Sequence, residues 1–75
     1  MADNTVYRVT EIVGSSDQNI DHAVRGALER AREALPHLDW FEVVSIRGSV
    51  DNPSESPTYQ VTLKVGHRLR QPQDD

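Results

Sequence analysis

Seventy-five residues with eight Lys plus Arg, twelve Asp plus Glu and a formal charge of −4 describe one small acidic domain spanning residues 1–75. Scattered cations in an acidic chain do not grip a phosphate backbone, so nucleic acid is excluded as a partner. No apolar run nears the ~18 to 20 residues of a membrane span and no charged-then-apolar leader is present, so no membrane partner is expected. Zero cysteines remove disulfides, thiolate metal sites and cysteine nucleophiles, and leave the cytoplasm as the expected compartment.

Residues 1–4 are polar and read as a tail, with order expected from about residue 5 to residue 70 and a second tail over 71–75. Thr5 to Val13 is rich in β-branched residues and predicts a first strand. Gly14 to Asn19 then breaks the chain, and either Ser15 with Gln18 or Asn19 alone suits the start of a helix. From Ile20 the apolar period becomes 3.6. Ile20, Ala23, Val24, Ala27, Leu28, Ala31 and Leu35 share one arc of roughly 140°. Asp21/Arg25 and Glu29/Arg32 on the opposite side have the spacing of favourable ion pairs, and Pro36 closes the helix.

Asp39 to Val50 reads as a second strand with Phe41, Val43 and Ser45 on one face and Trp40, Glu42, Val44 and Ile46 on the other. Asp51 to Pro57 is a polar turn. Thr58 to Leu69 alternates cleanly, with Tyr59, Val61, Leu63 and Val65 against Thr58, Gln60, Thr62 and Lys64. The fold class is therefore α+β: a β-α-β-β protomer with a three-stranded antiparallel sheet and one helix. One helix covers one face, expected to be that of Tyr59, Val61, Leu63 and Val65, joined by Phe41 and Val43. Trp40, Val44 and Ile46 are left on a face that no element of the chain covers. So short a chain, without disulfides, is expected to complete that face with partner subunits.

The chemistry on that face has a bland reading, that a lone Trp is core and a lone cation a surface charge. The polar neighbours Gln60, Thr62 and Lys64 shift the balance for Trp40. An indole beside a carboxamide suits a flat heteroaromatic ring: the ring stacks on Trp40, and Gln60 offers a donor and an acceptor to an imide edge such as that of a flavin or pterin. Arg47, Lys64 and Arg68 are candidates to meet a phosphate tail. His22, His37 and His67 lack metal-ligand spacing, so no metal is expected, and no nucleophile elbow or relay is present. Gly14-Ser15-Ser16 before the helix reads as capping rather than an anion site. Gly26 inside the helix predicts a close backbone approach, expected to come from another subunit.

Taken together, Tyr7-Arg8-Val9, Glu11 to Ser16, Leu38 to Val43, Ser45 to Gly48, Tyr59-Gln60-Val61 and Leu63 to Leu69 resemble the dodecins, small flavin-binding proteins of bacteria and archaea. The last segment departs from the pattern by His67, where an aromatic is usual. The resemblance implies a hollow homododecamer of cubic symmetry with paired flavins at two-fold axes, each ring between its twin and a tryptophan. It assigns the stacking role to Trp40 and the ring hydrogen bonds to Gln60. It places Arg47 near the flavin and gives Ser45 as a ribityl-chain contact. It implies non-enzymatic flavin storage, buffering and photoprotective quenching, with FMN or riboflavin as cofactor and coenzyme A as a further ligand tied to no position here. The alternative is a structural oligomeric shell or interaction module without a flavin role. A flavin-dependent enzyme is disfavoured, since the sequence supplies no second substrate site and no positioned acid or base.

Overall fold

A computed structural model describes residues 4–50 and 57–69, so the expected turn over 51–57 lies outside the described residues except for Pro57, as do the expected tails except for residue 4. The elements are β1 (Tyr7–Ser16), α1 (Ile20–Ala34), β2 (Leu38–Ser49) and β3 (Thr58–Arg68). The sheet is antiparallel in the order β1-β3-β2, so the alternating strand β3 is its centre and receives partners on both edges. This is the β-α-β-β architecture predicted, with each boundary within three residues of the expected one.

The helix starts where its donors are satisfied. Asn19 is extended (φ −166°) and its side-chain oxygen accepts from the His22 backbone N–H at 2.7 Å, so Asn19 alone is the cap. The helix ends as Leu35 leaves helical geometry one residue before Pro36, its N–H still donating to the Ala31 carbonyl at 2.8 Å. His37 then takes a positive φ of 59° and turns the chain into β2. The Asp21/Arg25 pair forms at 2.8 Å, whereas among the described residues Glu29 and Arg32 form none.

Val61, Leu63 and Val65 of β3 are fully buried beneath Ala23, Ala27 and Ala31, with Ile12, Val24 and Leu28 packed at the margin. Alanines let the helix axis approach the sheet, and β1 meets that approach with Gly14. A Cβ there would lie 2.8 Å from the Ala27 Cβ and closer still to the Ala23 carbonyl oxygen. Gly14 is therefore a contact between strand and helix, and not the start of a loop as its sequence context suggested; β1 runs on to Ser16.

Two expectations about β2 are corrected. Phe41 and Val43 do lie on the helix side, opposite Val65 and Leu63, but they stay 46% and 44% exposed. The helix packs mainly over β1 and β3, with Leu28 and Arg32 sharing a shallow cleft with Leu38 and Phe41 at the start of β2. The second correction concerns sidedness. β2 carries irregularities between Leu38 and Trp40 and between Val43 and Ser45. An extra residue at Val44 reverses the alternation beyond it. Ile46 therefore pairs with buried Val61 on the helix side, and Ser45 and Arg47 pair with Thr62 and Gln60 on the other.

Candidate functional site

The face without a helix is ordered in rungs across the three strands. Tyr7 opposes Arg68; Val9, Gly66 and Trp40 form the next rung; Glu11, Lys64 and Glu42 the next. Val13, Thr62 and Ser45 follow, and Ser15, Gln60 and Arg47 make the last. All four predicted site residues, Trp40, Gln60, Arg47 and Ser45, thus share one face. Strict alternation would have sent Ser45 and Arg47 to the side opposite Trp40, and the Val44 irregularity brings them round.

Trp40 is seated on Gly66. A Cβ at Gly66 would lie 2.6 Å from Trp40 Cδ2 and nearer still to Cε2 and Cζ2, so the indole lies directly over bare β3 backbone. A glycine under an aromatic on the neighbouring strand is a recognised device for seating the ring on the sheet. Tyr7 flanks the indole at a centroid distance of 5.9 Å and a tilt of 58°. The Tyr7 hydroxyl donates to Asp39 Oδ2 at 3.2 Å, and Arg68 Nε lies 3.5 Å from the same oxygen. Asp39 is the extra residue of the first irregularity, so β1 and β3 both hold the strand just before Trp40. With one face on Gly66 and an edge by Tyr7, the indole remains 41% exposed for a planar partner.

At the far end of the face, Arg47 Nε donates to Gln60 Oε1 at 2.9 Å. Gln60 and Gly66 are six positions apart on one strand, about 20 Å at the usual rise per residue. Trp40 and Gln60 therefore share a face but stand three rungs apart along it. Of the other cations proposed for a phosphate tail, Lys64 stands between Glu11 and Glu42, and Arg68 is paired with Asp39. Both are thereby less suited to an anion than Arg47.

The remaining candidates have structural duties. Ser16 Oγ lies 2.9 Å from His22 Nδ1, a spacing that invites comparison with a nucleophile and its base. The same buried oxygen accepts the Gln18 N–H at 2.9 Å, so it closes the turn before the helix. His67 is buried on the helix side, with Nε2 2.9 Å from Thr10 Oγ1, and so lies across the sheet from Trp40. A Cβ at Gly26 would meet nothing within 4 Å, so among the described residues nothing approaches it closely. Among the described residues no three His, Asp or Glu side chains gather to hold a metal ion, and no helix is long and apolar enough to cross a membrane.

A sheet that packs one helix on one side and carries a seated, open indole on the other defines a small binding-protein fold, and the comparisons identify it. A family model described as Dodecin matches residues 6–70. The dodecin of Thermus thermophilus is 47% identical over 66 residues, covering 88% of this chain and 94% of that protein. The solved dodecin of Streptomyces davaonensis superposes with a TM-score of 0.82 at 46% identity, covering 92% of this chain and all of the other. A protein of Mycobacterium tuberculosis named calcium dodecin is 29% identical over 66 residues, covering 88% of this chain and 92% of that protein. The chain belongs to the dodecin family.

Proposed function

We propose that this protein is a non-enzymatic flavin binder that stores and buffers FMN or riboflavin in the cytoplasm, in pockets between subunits of a homododecamer. The observation that carries the reading is the seated indole: Trp40 rests on Gly66 and stays 41% exposed on the face without a helix. The residues present fit the ring, with a planar electron-rich surface at Trp40 and a carboxamide and guanidinium at Gln60 and Arg47. Because Trp40 and Gln60 stand about 20 Å apart on the sheet, a pocket using both takes them from two chains, as a two-fold contact does. Ser45, one rung from Gln60 on the same face, is the contact proposed for a side chain of the ring. A flavin stacked on indole supplies a chromophore whose excited state the indole quenches.

Titration of riboflavin with the protein tests this. Flavin fluorescence is expected to fall to saturation, and Trp40→Leu, which keeps apolar contact but removes the stacking surface, weakens binding about tenfold. Unchanged flavin emission across the titration overturns the reading in favour of a structural shell. Coenzyme A is tied to no position by this geometry; its binding to the assembly is the ligand expected under that second reading.

The assembly is tested separately by mass. Twelve copies of an 8.4 kDa chain elute near ~100 kDa. A monomer at micromolar concentration would refute the shared pocket.

A further inference from the structure

We propose that Arg47 is a positioning residue, one that holds the Gln60 carboxamide in a single orientation and thereby selects the kind of ring edge the site accepts. The inference rests on the flavin reading and says how that site chooses its ligand. Arg47 Nε and Gln60 Oε1 lie 2.9 Å apart on directly paired positions of β2 and β3. The two ends of a carboxamide are nearly alike in shape, so its orientation is set by its partners. A guanidinium has donors only, and so the end facing Arg47 is the oxygen.

The amide NH2 is therefore the end left for a ligand. It carries two donors, and the oxygen beside it keeps one lone pair. A ring edge bearing carbonyl acceptors meets this arrangement, and one bearing amino groups there sets donor against donor. Without Arg47 the amide turns freely, and either edge is met equally well at the entropy cost of fixing the side chain on binding. The contact exists because Val44 shifts the alternation: one residue fewer would put Arg47 beneath the sheet and leave Gln60 unheld.

Lumiflavin separates this role from direct contact with a ligand phosphate, because it carries the flavin ring and neither ribityl chain nor phosphate. Arg47→Ala is expected to weaken lumiflavin binding about three- to tenfold, the span of one net hydrogen bond. Arg47→Lys, whose ammonium also donates to Oε1, recovers part of the loss. In a Gln60→Ala background the same Arg47→Ala change moves lumiflavin affinity by less than about twofold, since nothing remains to orient. Two results overturn the proposal: a loss confined to FMN with lumiflavin unaffected, which makes Arg47 a phosphate contact, or an equal loss with and without Gln60. A wild-type chain that binds neither FMN, riboflavin nor lumiflavin overturns the flavin reading itself, an outcome distinct from either.

Discussion

Gly14→Ala is expected to lower the melting temperature by about 15 °C or more, because one methyl group separates the helix from the sheet. The added Cβ would lie 2.8 Å from the Ala27 Cβ and closer to the Ala23 carbonyl oxygen, a backbone atom that cannot rotate away. Either α1 lifts from β1 and β3 or β1 withdraws from its register with β3. Both outcomes loosen Ala23, Ala27, Val61 and Leu63, which together form the buried cluster. Overpacking of this kind costs about 1 to 3 kcal/mol, and occasionally more where backbone must move. In a domain this small that is a large part of the total stability. Thermal unfolding followed by circular dichroism checks the effect, and a melting temperature within about 2 °C of the wild type refutes the close-approach role.

Gly66→Ala acts on the site instead, and is expected to reduce flavin affinity by about a hundredfold or more, a larger loss than removing the stacking surface by Trp40→Leu. The substituted Cβ would occupy the space of Trp40 Cδ2, Cε2 and Cζ2, so the indole must leave its seat. A displaced indole no longer offers a stacking face and swings into the volume the ligand would fill. Gly66 is buried but lies on the side away from the helix, so Val61, Leu63 and Val65 keep their packing. Flavin titration together with tryptophan emission reports both consequences: a red-shifted, more solvated indole and lost quenching are expected. Retained affinity with an unshifted emission spectrum would show that the seat is dispensable.

Much of the architecture was readable in the pattern of apolar residues. The 3.6 period from Ile20 to Leu35 and the alternation of Thr58 to Leu69 each name one buried face, and Pro36 marks the helix end. The candidate site residues were also readable as types: the lone Trp40, and Gln60 on the polar side of β3. Their spatial relations were not. The irregularity at Val44 leaves no composition mark, since Val-Val-Ser is ordinary strand sequence, yet it moves Ser45 and Arg47 to the Trp40 face and Ile46 to the helix side. The offset of α1 toward β1 was equally hidden, because the pairing order and the Gly14 contact that set it are tertiary facts. Gly66 looked like one more strand residue until the indole above it was placed. The Tyr7/Asp39/Arg68 contacts could have been suspected only from the order of strands, which puts β1 and β2 on either side of β3.

The off-centre helix has a consequence for symmetry. β2 is half exposed on both sides, with Phe41, Val43 and Ile46 on one and Trp40 on the other. A single two-fold contact buries one self-complementary patch per chain. Shielding two patches that look in opposite directions takes two different kinds of neighbour, and such contacts close into a finite particle where their axes intersect at suitable angles and otherwise run on as an open array. A strand left largely uncovered by its own helix thus calls for more than one kind of contact between chains.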